Sequence, residues 1–152
     1  MSQILEYATL LDDAARYAKA VGQIDPRGEL SLADAYAIQS ASIQRRVERG
    51  EHRVGVKMGF TSRAKMIQMG IDDGIWGRLS NQMQCEEGTP VAFSRFVHPR
   101  VEPELAFVLK KRLSGTAVTV EQVLDATDYV VPALELIAAR SFRVAPAAGY
   151  TR

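Results

Sequence analysis

Residues 101–109, with the sequence VEPELAFVL, are typical of one strand of a buried sheet. Within this strand Glu102 and Glu104 are two positions apart, and residues i and i+2 of a strand point to the same face. Two like charges are therefore predicted to lie side by side where apolar side chains would otherwise pack. A third acid, Glu135, lies in a second apolar stretch, DYVVPALELI (128–137), which predicts another buried strand.

The three glutamates have two interpretations. An ionised carboxylate in a dry site costs several kcal/mol unless it is paired or bound to a metal. Three such oxygen ligands would suit a hard divalent ion such as Mg²⁺ or Mn²⁺. Alternatively, the glutamate face of each strand is solvated, as on a half-exposed antiparallel sheet. The residues alone leave both interpretations open.

Lys57 is a candidate catalytic residue on an earlier apolar segment. It lies in GVKMGFTS, between Gly55 and Gly59. Glycines inside a strand often mark the close approach of a ligand to the backbone. A lysine buried on an apolar strand would be suited to acid–base work. The alternative is an ordinary surface lysine.

Two amphipathic helices are predicted before the first strand. Apolar residues recur at helical spacing over residues 3–21. Ser31 followed by Asp34 resembles a capping box, which predicts a second helix over residues 32–50. The last turns of this second helix contain three arginines, which suit the negative end of the helix dipole: Arg45, Arg46 and Arg49.

The remaining elements are short. A strand is predicted over residues 53–60, and helices are predicted over residues 62–69 and 119–127. This order, two helices and then short strands interrupted by short helices, indicates an α+β fold rather than a regular βαβ alternation. We expect a single domain of residues 1–152, comprising a helical region (1–50), a partial β-rich catalytic core (51–140) and an irregular tail (141–152).

Composition excludes several classes of function. The chain has 152 residues, of which 47% are hydrophobic, and a net charge of +1, so a nucleic-acid partner is not expected. Its single cysteine, Cys85, cannot form an internal disulfide. No apolar run approaches the length of a membrane span, and the N-terminal residues lack the pattern of a secretory signal. We therefore expect a cytoplasmic protein without a membrane partner.

Several segments, taken in order, resemble one known family. The resemblance is to the fumarylacetoacetate-hydrolase superfamily. Within it, the chain resembles the 2-keto-4-pentenoate hydratase / 4-oxalocrotonate decarboxylase family of aromatic meta-cleavage pathways. It extends over residues 32–140 and is carried by GVKMGFTSRAKMIQMGI, GIWGRL, SRFVHPRVEPELAFVL and ATDYVVPALELI.

This resemblance implies a fold, a metal and a set of site residues. The fold would be N-terminal helices followed by part of the mixed β-barrel or roll of the superfamily. Glu102, Glu104 and Glu135 would bind a divalent metal, usually Mg²⁺, and Lys57 would be a catalytic or substrate-contacting lysine. The substrate would be a small 2-oxo acid. Family members are oligomeric, so a homo-oligomer is expected.

The choice between decarboxylase and hydratase depends on the segment GIWG. Family hydratases tend to carry an acid, thought to help activate water, at the position of Ile75. An apolar side chain cannot hold or deprotonate a water molecule. The resemblance therefore favours metal-dependent decarboxylation of a 2-oxo-enedioate such as 2-oxo-3-hexenedioate (4-oxalocrotonate). The alternative is a hydratase of 2-hydroxypenta-2,4-dienoate or of 2-oxo-hept-enedioate.

The C-terminal sequence departs from the family pattern. Family members continue well beyond the third glutamate, whereas this sequence runs RVAPAAGYTR and stops, with Ala139 where an acid would be expected. We therefore expect a truncated chain with weak or absent activity. A third hypothesis follows, in which the chain is an inactive fragment or a subunit that packs on a partner such as a hydratase of the same pathway.

Overall fold

The computed structural model describes residues 2–138, which form two compact units. The first unit contains the described residues up to Val97, and the second comprises His98–Ala138. The irregular tail predicted for residues 141–152, and Ala139 with it, lies outside the described residues. No helix within the described range has both the length and the apolar character needed to cross a membrane.

The first unit begins with two helices, α1 (Gln3–Arg16) and α2 (Leu32–Glu48). The predicted extension of α1 to residue 21 is wrong, because Ala18 adopts a φ of +49°, which turns the chain out of the helix. The capping box at the start of α2 is confirmed by both of its reciprocal hydrogen bonds. The predicted end of α2 is close to the observed one, and Gly50 follows it with a φ of +94°.

A buried acid joins the two helices. Asp12 on α1 is only 1% exposed. Its carboxylate accepts hydrogen bonds from Nε of Arg45 at 2.9 Å and from Nη1 and Nη2 of Arg49 at 2.6 and 2.8 Å, and Arg46 lies 3.6 Å away. Burial alone would raise the pKa of Asp12. The hydrogen bonds and positive charges of Arg49 and Arg45 outweigh this effect and lower that pKa below its ordinary value.

This lowered pKa predicts how acid acts on stability. A carboxyl group with a depressed folded-state pKa contributes stability above its unfolded-state pKa, and the contribution is lost as the pH falls through the folded-state value. We expect the difference in free energy of unfolding between the protein and its Asp12→Asn variant to narrow below about pH 4. Urea denaturation at pH 6 and pH 3 measures this difference. A difference that stays constant over this range would contradict the assignment.

A two-stranded antiparallel sheet completes the ordered elements of the first unit. Its strands are β1 (Arg53–Gly59) and β2 (Ile75–Ser80), with helix α3 (Arg63–Met69) between them. Strand β1 and helix α3 were predicted, and Gly70 ends α3 in the left-handed conformation. No strand was predicted at β2, because it is short, contains a glycine and follows a turn-forming IDDG segment.

Helix α2 covers the outer edge of β2. The hydroxyl of Tyr36 accepts a hydrogen bond from the backbone N–H of Trp76, and Nε2 of Gln39 donates to the Trp76 carbonyl at 3.0 Å. The rings of Tyr36 and Trp76 stack with centroids 5.1 Å apart, and the guanidinium of Arg78 lies over the Trp76 ring. Because both outward backbone groups of Trp76 are satisfied, another strand cannot pair with β2 at this residue.

The second unit is a long antiparallel ribbon. It comprises β3 (Pro99–Leu109) and β4 (Thr127–Ala138), with helix α4 (Val120–Ala126) just before β4. Both strands were predicted, and a capping box at Thr119 opens α4. Within residues 98–138 both strands are edge strands, so Pro132 of β4 lies at an edge, and the register shifts between Val108 and Leu109.

The prediction that VEPELAFVL is buried is wrong for the described residues. Apolar side chains along β3 remain exposed, with Val101 at 59%, Leu105 at 67% and Phe107 at 50%. The sequence pattern identified the strand correctly, but burial needs a second layer. Within residues 98–138 the ribbon has two strands, and one short helix cannot cover both of its faces.

Candidate metal centre

The register of the ribbon brings three glutamates together on one face. Glu102 on β3 lies directly opposite Glu135 on β4, and Glu104 follows two residues later on the same face of β3. One carboxylate oxygen from each residue lies within 4.8 Å of the other two. The pairing therefore assembles the three side chains that the sequence analysis identified as metal ligands.

The spacing of these oxygens fits a divalent ion. Three oxygens no more than 4.8 Å apart leave a point about 2.8 Å or less from each of them (4.8 Å divided by the square root of three). Calcium–oxygen bonds are about 2.3–2.6 Å long and magnesium–oxygen bonds about 2.0–2.1 Å. The difference between 2.8 Å and these bond lengths is less than about 1 Å, and side-chain rotations of the flexible glutamates would move the oxygens by that much. Carboxylate oxygens are also the ligand type that Mg²⁺, Mn²⁺ and Ca²⁺ prefer.

Electrostatics also favour a cation at this cluster. Like charges directly opposite each other on neighbouring strands are destabilising, and Glu102 and Glu135 form such a pair. Over the part of the chain that the structure describes, neither Glu102 nor Glu104 forms an ion pair with a basic side chain. A divalent cation would turn the repulsion among the three carboxylates into attraction.

The exposure of the glutamates means that the geometry by itself also fits a solvated acidic face. Glu102 and Glu104 are exposed and Glu135 is half-buried. One interpretation of the sequence was a dry site, but residues 98–138 by themselves form a solvent-exposed one. This exposure is compatible with a magnesium ion, which usually keeps several water ligands.

Lys57 lies on β1 of the first unit, opposite Gly77 of β2. Its side chain is half-buried, whereas the neighbouring Val56 and Met58 are 59% and 52% exposed. The lysine thus points to the more sheltered face of the strand. The three glutamates belong to the second unit, and the catalytic role of Lys57 stays a prediction.

Ile75 lies on the same face of the sheet as Lys57. Ile75 pairs with Gly59 and Lys57 pairs with Gly77, so the two larger side chains are diagonal neighbours. Ile75 was predicted to matter only through the family resemblance, because no strand was predicted at β2. A period-2 search of IWGRLS for a partner to β1 would have placed Ile75 and Gly77 on one face.

Comparisons with known proteins give consistent results. No family model matches the chain. A 4-oxalocrotonate decarboxylase of Pseudomonas sp is 47% identical over 138 residues, which cover 91% of this chain and 54% of the relative. A 2-oxo-hept-4-ene-1,7-dioate hydratase of Escherichia coli is 38% identical over 140 residues, which cover 91% of this chain and 52% of the relative.

A solved structure agrees in fold. The 4-oxalocrotonate decarboxylase of Pseudomonas putida G7, complexed with magnesium and adipate, superposes with a TM-score of 0.87 at 35% identity, covering 94% of this chain and 55% of that protein. The chain therefore spans about half the length of the relatives that it matches. Over this span, the chain is similar in both sequence and fold to the 4-oxalocrotonate decarboxylases, and similar in sequence to the 2-keto-4-pentenoate hydratases.

Proposed function

We propose that this protein serves the metal-dependent decarboxylation of a 2-oxo-enedioate of the 2-oxo-3-hexenedioate (4-oxalocrotonate) type, in aromatic meta-cleavage catabolism. The observation that carries this proposal is the cluster of three carboxylates within 4.8 Å of one another on β3 and β4. The 47% identity to a decarboxylase supports it, as does the magnesium bound to a relative of the same fold.

Each proposed site residue has a chemical role. Glu102, Glu104 and Glu135 would hold Mg²⁺ or Mn²⁺. When bound, such an ion supplies a Lewis acid that polarises the 2-oxo group of the substrate. In the reaction the bond to the remote carboxylate breaks, CO₂ leaves, and the electron pair passes into the conjugated ketone. Lys57 would neutralise a substrate carboxylate or deliver the proton that the dienolate left by loss of CO₂ takes up.

Ile75 is the residue that favours decarboxylation over hydration. Its side chain offers no hydrogen-bonding atom, so it cannot hold or deprotonate a water molecule for addition to the substrate. On β2 it is 44% exposed and lies diagonal to Lys57. An apolar group here would help to keep water from the carbon that carries the developing charge.

A hydratase is the second candidate, because the identities of the relatives do not all favour one reaction. The hydratase of Escherichia coli and a 4-oxalocrotonate decarboxylase of Pseudomonas putida are each 38% identical to this chain. Both reactions would use the same divalent ion and differ in whether water adds or CO₂ leaves. The two candidates therefore share the metal site and are separated by the products.

A product assay tests the proposal. The purified chain, supplied with Mg²⁺, is incubated with 2-oxo-3-hexenedioate, and separately with 2-hydroxypenta-2,4-dienoate. We expect weak release of CO₂ from the first compound that stops when EDTA removes the metal, and no 4-hydroxy-2-oxopentanoate from the second. Hydration without CO₂ release would support the hydratase. No product in either reaction, together with co-purification with a pathway hydratase, would support the inactive or partner-subunit hypothesis.

The assembly and location of the protein are part of the same proposal. The apolar face of the ribbon, comprising Val101, Leu105, Phe107 and Leu134, is exposed in the described units, and such a face is stabilised by burial against another surface. We propose a cytoplasmic homo-oligomer that acts on a small 2-oxo acid and has no nucleic-acid or membrane partner. A hydratase of the same pathway is its proposed second component.

A further inference from the structure

The strand β2 carries a glycine at the position where a side chain would meet Lys57. A Cβ atom built on Gly77 would lie 3.2 Å from Cγ and 3.5 Å from Cδ of Lys57. The first distance is tighter than ordinary van der Waals contact. The aliphatic stem of Lys57 therefore passes over Gly77 and occupies the space that a side chain at this position would need.

The same arrangement occurs with the two strands exchanged, since here the glycine lies on β1 and the large side chain on β2. A Cβ on Gly59 of β1 would lie 3.0 Å from Cγ1 of Ile75 on β2. Each strand thus contributes one large side chain and one glycine to the same face, and each large side chain lies over the glycine of the other strand. Glycine weakens a strand interior, so its presence opposite Lys57 and Ile75 calls for a packing reason.

We propose that Gly77 is a positioning residue for Lys57. Without a side chain at Gly77, the Lys57 stem rests across β2, and this fixes where the ammonium group is presented. This contact contributes to the half-burial of the Lys57 side chain. The consequence for catalysis rests on the proposed function, whereas the packing of Lys57 on Gly77 does not.

Gly77→Ala tests the proposal, with Gly55→Ala as its matched control. A Cβ on Gly55, which lies on β1 of the same sheet, would meet nothing within 4 Å. The readout is the rate at which an amine-reactive reagent labels each lysine, resolved by peptide mass spectrometry. In Gly77→Ala the labelling of Lys57 should accelerate about threefold, the size of a rotamer preference, while Lys19 and Lys65 keep their rates. Gly55→Ala should leave the Lys57 rate unchanged.

Two results would overturn the proposal. One is an unchanged Lys57 labelling rate in a folded Gly77→Ala protein. The other is an equal loss of melting temperature when Gly77→Ala is introduced into the parent protein and into the Lys57→Ala variant. This comparison also applies if Gly77→Ala alone folds poorly. We expect Gly77→Ala to lower the melting temperature by roughly 2–4 °C when Lys57 is present and by less than about 1 °C when it is absent. An equal loss in both backgrounds would show that Lys57 is not what Gly77 accommodates.

The activity readout separates this proposal from the proposed function. Gly77→Ala should lower kcat for CO₂ release and leave the affinity for Mn²⁺ unchanged, because Gly77 is not among the predicted metal ligands. If the unsubstituted protein releases no CO₂, the proposed function fails. The labelling and melting measurements would still decide whether Gly77 positions Lys57.

Discussion

Glu104→Gln should weaken the binding of Mn²⁺ by about a hundredfold, since the loss of a mere outer-shell partner already costs about 10–100-fold. The amide keeps the size of the side chain but removes one of the three charges within 4.8 Å. Isothermal titration with Mn²⁺ measures the change. In the absence of metal the same variant should be slightly more stable than the parent protein, because one like-charge repulsion is gone.

Glu121→Gln is the matched control for this prediction. Glu121 lies on α4 in the same unit and is not part of the three-carboxylate cluster. The substitution removes the same charge but leaves the three clustered carboxylates intact, so this variant should bind Mn²⁺ like the parent protein. An affinity for Mn²⁺ that is unchanged in Glu104→Gln would show that the cluster is a solvated acidic face.

Asp12→Asn should lower the free energy of unfolding by about 3 kcal/mol, because removing one partner of a buried ion pair leaves the other charges uncompensated. Asp12 is fully enclosed, and its carboxylate accepts hydrogen bonds from Arg45 and Arg49 on α2. An asparagine would offer one oxygen in place of two and would direct its amide N–H groups toward guanidinium groups. Urea denaturation near neutral pH measures the loss.

Asp13→Asn provides the comparison for this second prediction. Asp13 is the next residue on α1 and also pairs with Arg45, at 2.8 Å, but its side chain is 42% exposed. Exposed ion pairs contribute about 1 kcal/mol or less, so this variant should lose far less stability than Asp12→Asn. Equal losses in the two variants would contradict the view that burial of Asp12 makes its pairing important.

The sequence predicted best what depends on neighbouring residues. The capping boxes at Ser31 and Thr119 fix where α2 and α4 begin, and they involve only residues three positions apart. Part of the glutamate cluster could also be predicted, because side chains alternate along a strand and this places Glu102 and Glu104 on one face. The alternation does not determine the pairing register, and it is the register that places Glu135 opposite Glu102 rather than further along the ribbon.

The arginines of α2 show a limit of local reasoning. They were interpreted as partners of the helix dipole, and Arg45 and Arg46 do lie in its last turn. The main partner of Arg45 and Arg49 is instead Asp12, more than thirty residues away in sequence, on another helix. Such a contact depends on how two helices pack, and an amphipathic pattern predicts the packing face without identifying the polar residue that becomes buried in it.

Burial was the least predictable property. An apolar strand such as β3 was expected to be covered, yet Leu105 is 67% exposed among the described residues. A strand pattern reports which face is suited to burial, while the covering layer is a property of other segments. The predicted end of α1 was wrong because the residue with the positive φ just after the helix is Ala18, not a glycine or proline that would mark the end in the sequence.

The most direct test of the metal site is a titration of the unsubstituted protein with Mn²⁺, followed by electron paramagnetic resonance of the free ion. Glu102, Glu104 and Glu135 predict one saturable site per chain, with Mg²⁺ competing for it, and loss of that site when all three residues are changed to glutamine. Absence of saturable binding, or equal binding by the triple variant, would contradict the assignment of these glutamates as metal ligands.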